Sequence, residues 1–235
     1  MLKFYRFLIL PLTGVFLASA AGIARYAADS CTQTRMYRQL AAQTENFPDD
    51  AVSTGNIFLP QYQALYAQNS DLAGWILIDG TSINYPVMQS KQDPDFYLKH
   101  NFEKADSPHG CPYVQANCDL QTPSDNILVY GHNMKNGSMF GMLKKYRADE
   151  TLYNTSKYFW ILTPEKDYRY EIIAAYTTSV NSDTYTLFKG PGKEFLEYEK
   201  KMFQNSEIRT DATASEANVK DKIVTLSTCT GNQAT

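Results

Sequence analysis

The chain has 235 residues, of which 43% are hydrophobic and 20% are charged, and its net charge is −3. These values predict a globular protein with one domain of ordinary size plus an appendage, and they exclude a disordered chain. Because the chain has no long basic run, nucleic acid is excluded as an expected partner.

The first 27 residues predict a membrane anchor or a signal segment. Lys3 and Arg6 precede residues 7–24, a stretch of eighteen residues without a charge. That length is near the lower limit for a helix that crosses a bilayer, and the basic residues before it place the N-terminus inside. Residues 18–20 (Ala-Ser-Ala) are also typical of a cleavage site, so a removed signal peptide is the alternative. Both interpretations predict that the rest of the chain lies outside the cytoplasm.

Residues 28–70 predict a helical linker region. Apolar side chains recur at helical spacing between residues 32 and 44, which indicates a helix there. Clusters of helix-breaking residues follow between residues 47 and 56, and Pro60 then begins a short second helix. A stalk that holds the following domain away from the membrane fits this pattern.

Residues 71–235 predict the main domain, which consists mainly of short strands. Residues 74–78 and 82–88 are typical of a hairpin around the Asp79-Gly80 turn. The other predicted strands cover residues 110–115, 126–130, 158–162, 168–180 and 222–229, and the predicted helices cover residues 139–146 and 193–204. The 17 tyrosines and 12 phenylalanines also favour a β-rich domain. Short strands interrupted by two helices indicate a closed barrel.

The four cysteines do not form the dense framework of a disulfide-stabilised domain. Cys111 and Cys118 lie seven residues apart around a predicted turn, so their geometry allows a disulfide, and the sequence leaves this open. The chain has no C-x-x-C pair, and its three histidines have no metal-ligand spacing. We therefore expect no metal and no cofactor.

The predicted strand over residues 222–229 ends on a thiol. Period-2 geometry places Thr225, Ser227 and Cys229 on one face of this strand. A nucleophilic cysteine needs a base or an ion-pair partner that generates the thiolate. The predicted strand over residues 126–130 leads to His132, which can serve as that partner. Each residue alone is more often structural, but the two together predict a catalytic pair.

The residues around both side chains resemble a known family. The string Thr-Leu-Ser-Thr-Cys, ending at Cys229, resembles the sortase signature, and residues 130–134 (Tyr-Gly-His-Asn-Met) resemble the matching segment of class B sortases. The resemblance runs from about Asp71 to the C-terminus. It implies a mainly β fold with α, which is a sortase-like closed β-barrel with N-terminal helices and a membrane anchor.

The resemblance also implies a membrane-anchored cysteine transpeptidase. The Cys229 thiolate would attack the threonine carbonyl of a sorting motif near the C-terminus of a surface protein. A cell-wall amine would then resolve the thioacyl-enzyme. His132 would protonate the leaving amine and deprotonate the incoming one. The implied location is the cell membrane of a Gram-positive type surface, with a single membrane pass and the catalytic domain outside.

The resemblance further implies four substrate contacts, at Leu98, Tyr185, Ser227 and Thr228. In class B sortases the region of Leu98 borders the groove for the sorting peptide, and the loop of Tyr185 forms a wall of that groove. The hydroxyl residues before the cysteine help to hold the substrate. Core packing of Leu98 and strand packing of Ser227 and Thr228 are the structural alternatives.

One family feature is missing, because sortases also use an arginine on the strand after the cysteine. Only residues 230–235 follow Cys229, and none of them is an arginine. We expect the natural gene to continue past Thr235, and we expect the chain as written to be weakly active. A missing strand would also leave residues 222–229 at an unpaired edge. The alternatives are a sortase-like binding module without turnover and a cysteine peptidase that hydrolyses its substrate.

Overall fold

The computed structural model describes residues 2–44, 60–120, 122–164, 166–188 and 190–230. The chain divides into two compact units, residues 1–39 and residues 40–235. The predicted clusters of helix-breaking residues between residues 47 and 56 lie outside the described residues.

The first unit consists of most of one long helix, α1 (Leu2–Ala42). The sequence predicted an anchor segment and a separate helix over residues 32–44, but the helix is continuous and passes through Pro11. Within the described part of the chain, no helix has both the length and the apolar character needed to cross a membrane. The membrane anchor therefore stays a prediction.

In its described residues, the second unit contains a seven-stranded sheet and three further α-helices. The helices are α2 (Pro60–Gln68), α3 (Glu150–Thr155) and α4 (Lys193–Asn205). The strands are β1 (Leu72–Leu77), β2 (Asn84–Met88), β3 (Tyr113–Val114), β4 (Asn126–Tyr130), β5 (Tyr158–Leu162), β6 (Asp167–Glu171) and β7 (Ile223–Ser227).

The strand order is β6-β5-β1-β2-β3-β4-β7, with β6 and β7 at the two edges. The mainly β architecture with α-helices is confirmed. In the described residues the predicted barrel is nearly closed, because the edge strands β6 and β7 do not pair with each other. The apolar side chains of the central strands form the core, and Trp75, Ile76 and Val87 are fully buried. Burial of such side chains is the main force that holds the sheet together.

Strands β4 and β7 position the segments predicted to be catalytic. They run parallel and in register, and Tyr130 lies opposite Ser227 at their carboxyl ends. At the other end, Lys222 Nζ lies 2.5 Å from Oδ1 of the buried Asp125. Because parallel strands bring their carboxyl ends to the same edge of a sheet, the residues after Tyr130 and after Ser227 become neighbours.

Several predicted elements differ from those observed, and the strand predicted over residues 110–115 is reduced to Tyr113–Val114. Residues 140–147 form a 3-10 helix rather than an α-helix, and β6 ends at Glu171 rather than near residue 180. Strand β7 ends at Ser227, so Cys229 lies beyond the strand. Helix α3 was not predicted, although Asp149 caps it by accepting a hydrogen bond from the backbone N–H of Thr151.

Helix α4 and the helical turn Asp183–Tyr185 form a wall beside β4 and β7. Phe195, Tyr198 and Met202 of α4 form a buried cluster against which Ile223 of β7 packs. The buried side chain of Asn126 donates to two backbone carbonyl oxygens of this segment, that of Thr184 within the turn at 3.2 Å and that of Thr186 directly after it at 3.0 Å. Because Asn126 is the first residue of β4, this amide ties the wall to the sheet.

The buried carboxyl group of Glu199 on α4 makes the stability of this wall depend on pH. Burial and, secondarily, the charge of Asp221 raise the pKa of Glu199 from its ordinary value of 4.5 to about 7. The folded protein therefore favours protonated Glu199, and the resulting stability is complete below about pH 4.5 and is lost as the pH rises through about 7.

We expect Glu199→Gln to remove this loss of stability, which is on the order of 1–3 kcal/mol between pH 5 and 8. Thermal melting of both proteins across that pH range measures it. Glu197→Gln, at an exposed position of the same helix, is the matched control and should melt with the wild-type pH dependence. A parallel pH dependence in wild type and Glu199→Gln would contradict the assignment.

Candidate active site

The ends of β4 and β7 bring the predicted catalytic segments side by side. The backbone N–H of Gly131 donates to the carbonyl oxygen of Ser227 at 3.0 Å, which extends the pairing beyond the last strand residues. Asn133 then donates from Nδ2 to the carbonyl oxygen of Cys229 at 2.8 Å. The thiol of Cys229 is exposed. The structure therefore brings together the segments of His132 and Cys229, as the sequence predicted.

The hydrogen bond of His132 fixes its tautomer. Its Nε2 atom lies 2.7 Å from the backbone carbonyl oxygen of Leu98. A carbonyl oxygen only accepts hydrogen bonds, so Nε2 carries a proton. The nitrogen that can take up and release a proton is therefore Nδ1. The main chain of His132 is held as well, because its carbonyl oxygen accepts from the N–H of Phe140 at 2.9 Å.

Gly110 allows the carbonyl of Leu98 and the ring of His132 to approach each other. It has a φ of +56°, a conformation that side chains disfavour. A Cβ atom at this position would lie 2.5 Å from the carbonyl oxygen of Tyr97, 2.8 Å from that of Leu98 and 3.1 Å from Cδ2 of His132. The missing side chain is thus a requirement of the histidine site.

We expect Gly110→Ala to lower kcat/KM by about ten- to a hundredfold, because the added carbon displaces the Leu98 carbonyl and the imidazole. It should also destabilise the fold by about 1–2 kcal/mol through the left-handed backbone. Gly137→Ala is the matched control, since Gly137 has a φ of +80° and open space around it. Steady-state kinetics and thermal melting separate the two effects. Equal losses of activity in both variants would contradict a role for Gly110 at His132.

The four predicted substrate contacts all lie near the catalytic segments. Leu98 contributes its carbonyl to His132, and its side chain is 37% exposed. The hydroxyl of Tyr185 lies 3.1 Å from Oγ of Ser227. Thr228 donates from its hydroxyl to the carbonyl oxygen of Gly131 at 2.7 Å, which gives it a partner inside the protein. Contact of these four residues with substrate stays a prediction.

Three tyrosine rings form a row beside the thiol segment. The ring centroids of Tyr113 and Tyr130 are 5.5 Å apart, and those of Tyr130 and Tyr185 are 6.4 Å apart. Burial, followed by the nearby Asp95, raises the pKa of Tyr113, and burial also raises that of Tyr130. Both phenols are therefore neutral at physiological pH. Tyr113 is buried, whereas Tyr130 and Tyr185 are partly exposed.

The two cysteines whose pairing the sequence left open are not joined in a disulfide. Cys111 donates from Sγ to the carbonyl oxygen of Pro86 at 3.5 Å, and Cys118 donates to that of Asn126 at 3.6 Å. Burial raises the pKa of the Cys118 thiol. Among the described residues, no three or more histidine, cysteine or acidic side chains lie together in a way that could hold a metal ion.

Sequence reasoning did not assign roles to three features of this site. These are the side chain of Asn133, the backbone carbonyl of Leu98 and the space left by Gly110. Asn133 had a usable signal, because it directly follows His132 within the segment that resembles class B sortases. The other two features depend on backbone geometry, which the residue types do not show.

An exposed thiol lies just beyond the end of the edge strand β7, beside the segment of an imidazole with a fixed tautomer. This arrangement defines a cysteine-dependent acyl-transfer site. Comparison with known protein families agrees, since the sortase domain matches residues 76–235. The chain therefore belongs to the sortase family, and its relatives place it in class B.

Two curated relatives are sortase B proteins. That of Listeria monocytogenes is 36% identical over 163 residues, which cover 68% of this chain and 63% of the relative. That of Staphylococcus aureus is 29% identical over 170 residues, which cover 72% of this chain and 68% of the relative. The solved structure of a Staphylococcus aureus sortase B–substrate complex matches with a TM-score of 0.76 and 25% identity, and the match covers 88% of this chain and 94% of that chain.

Proposed function

We propose that this protein cleaves a C-terminal sorting motif after threonine and transfers the resulting acyl group to a cell-wall amine. The observation that carries the proposal is the joining of the His132 and Cys229 segments, with Nε2 of His132 held by a carbonyl. This arrangement places the segment of a nucleophile beside the segment of a group that can exchange protons. The family match and the substrate complex of the Staphylococcus aureus relative support a sorting peptide as the substrate.

In the first half-reaction, the Cys229 thiolate attacks the threonine carbonyl of the sorting motif. The Sγ–C bond forms, the peptide C–N bond breaks, and the leaving amine takes the proton from Nδ1 of His132. The product is a thioester between Cys229 and the threonine. The bond from Nε2 to Leu98 keeps the ring in place while Nδ1 changes its protonation state.

In the second half-reaction, an amine of the cell-wall peptide attacks the thioester. The new C–N bond forms, the Sγ–C bond breaks, and Nδ1 of His132 accepts the proton of the attacking amine. This step restores the thiolate and the protonated imidazole, so no cofactor takes part. Water can replace the amine, which makes hydrolysis a side reaction of the same intermediate.

We further propose that residues 7–24 tether the protein to the cell membrane with the catalytic domain outside. The support is the absence of charge from these eighteen residues, with Lys3 and Arg6 before them. Large apolar side chains of α1 are also 60–70% exposed, at Leu12, Val15, Phe16, Leu17 and Ile23. Fractionation of cells, followed by protease treatment of intact cells, tests the location and the orientation.

The transfer activity is tested with the full-length gene product and a panel of threonine-containing sorting peptides, each with and without an amine acceptor. We expect a ligated product that contains the peptide up to threonine joined to the acceptor. Hydrolysis alone at every acceptor concentration would indicate a peptidase. Peptide binding without product would indicate the binding module that lacks turnover.

A further inference from the structure

The pairing of β4 with β7 continues beyond the strands through side chains. In a regular parallel ladder, Gly131 would donate to Ser227 and accept from the backbone N–H of Cys229. The first of these bonds is present, at 3.0 Å. The carbonyl oxygen of Gly131 instead accepts from the hydroxyl of Thr228, at 2.7 Å. The next bond is again made by a side chain, from Nδ2 of Asn133 to the carbonyl oxygen of Cys229.

We propose that Asn133 and Thr228 are positioning residues that form a clasp between the two catalytic segments. The clasp consists of their two side-chain bonds, one in each direction across the gap between the segments. Each bond ends on the backbone of the opposite segment, directly beside or at a catalytic residue. This inference rests on the proposed function, because it assigns how the nucleophile and the proton-exchanging residue are held in mutual register.

The geometry gives the clasp a specific task. Cys229 lies beyond the last residue of β7 and is exposed, so the backbone ladder of the strand does not fix it. The segments still run side by side as far as Asn133, because the side chains provide the hydrogen bonds that the ladder no longer provides. Loss of either bond allows Cys229 to shift in position relative to His132, and it removes no atom that takes part in the reaction. Proximity in catalysis is sensitive to displacements of about 1 Å.

The two atoms of the Asn133 amide can be tested separately. Its Oδ1 lies 3.5 Å from Nζ of Lys144, while its Nδ2 holds Cys229. Asn133→Asp keeps an acceptor for Lys144 but replaces the donor to Cys229 by an oxygen. Thr228→Val removes the hydroxyl at nearly constant shape, and Thr228→Ser restores it. Asn133→Ala serves as the neutral deletion, and Lys144→Met controls for loss of the lysine contact.

The experiment measures kcat and KM for peptide transfer by the full-length protein, with the melting temperature of each variant. We expect Asn133→Asp, Asn133→Ala and Thr228→Val to lower kcat by about ten- to a hundredfold, with KM within about twofold of wild type. Thr228→Ser and Lys144→Met should keep kcat within about twofold. A merely structural role would lower the melting temperature of the affected variants without this split between kcat and KM.

If the wild-type enzyme is active, either of two results would overturn the proposed clasp. One is a wild-type kcat in both Asn133→Asp and Thr228→Val. The other is a loss in Thr228→Ser as large as that in Thr228→Val, which would show that the hydroxyl is not the relevant group. A wild-type protein without transfer activity overturns the proposed function itself and is therefore distinguishable from both.

Discussion

Cys229→Ala is expected to abolish both peptide cleavage and peptide transfer. Cys229 is exposed. In the proposed mechanism, its sulfur is the atom that bonds covalently to the substrate carbonyl carbon. Removal of the nucleophile from another covalent peptidase lowers kcat by roughly a millionfold, and a loss to the background rate is expected here. Product formation by chromatography and mass spectrometry measures it. Peptide affinity should change little, because the alanine removes a single sulfur atom.

Cys31→Ala is the matched control for this loss. Cys31 is also an exposed thiol, but it lies on α1 in the other compact unit. Its removal should leave kcat/KM at the wild-type value. Turnover that persists in Cys229→Ala, or that disappears in Cys31→Ala, would contradict the assignment of the nucleophile.

His132→Gln is expected to lower kcat/KM by about a hundred- to ten-thousandfold, the range over which general acid–base catalysis contributes. Glutamine retains an N–H that can donate to the Leu98 carbonyl oxygen, so the local packing should be preserved. What it lacks is the Nδ1 atom that exchanges a proton with the leaving and attacking amines. The loss should therefore be larger for peptide substrates, whose leaving amine needs a proton, than for an activated thioester or phenyl ester, whose leaving group needs none.

The measurement compares kcat/KM for a peptide and for an activated ester in wild type and His132→Gln. His100→Gln is the matched control, since His100 also bonds a backbone carbonyl oxygen, that of Phe96 at 2.7 Å. The control should stay within about twofold of wild type. A His132→Gln enzyme with more than a tenth of the wild-type peptide activity would contradict the role of Nδ1.

The bounds of a strand were predictable where the apolar pattern in the sequence ends at the same residue as the pairing with the neighbouring strand. The apolar run at β4 was predicted at residues 126–130, and the structure has the same bounds. Strand β7 was predicted to reach Cys229, because its alternating pattern continues to that residue. It ends at Ser227 because Tyr130, opposite Ser227, ends β4, and side chains then replace the ladder. The end of a strand thus depends on a partner about a hundred residues away.

The same reason explains the shorter β6. Apolar residues continue after Glu171, so the sequence favoured a strand up to residue 180. The pairing partner β5 is five residues long and places Tyr158 opposite Glu171. Without a partner, the chain leaves the sheet, and its backbone finds other contacts, such as the bond from Glu207 N–H to the Ala175 carbonyl oxygen.

The reacting residues of the candidate site were predictable from the sequence, but the contacts that hold them in place were not. The residue types indicated His132 and Cys229, because a thiol and an imidazole after two strands make a productive pair. No residue type indicates that a backbone carbonyl fixes the tautomer of His132, or that a glycine leaves room for it. Both depend on the path of residues 97–110, which passes beside the histidine only in the folded chain.

The most direct test of the account is the mass of the intact full-length protein after incubation with a sorting peptide and no amine acceptor. We expect an added mass equal to the peptide up to its threonine, located on Cys229 by fragmentation. An amine acceptor should then remove it and yield the ligated product. An unmodified Cys229 under conditions in which the peptide is consumed would contradict the thioacyl mechanism and the assignment of this site.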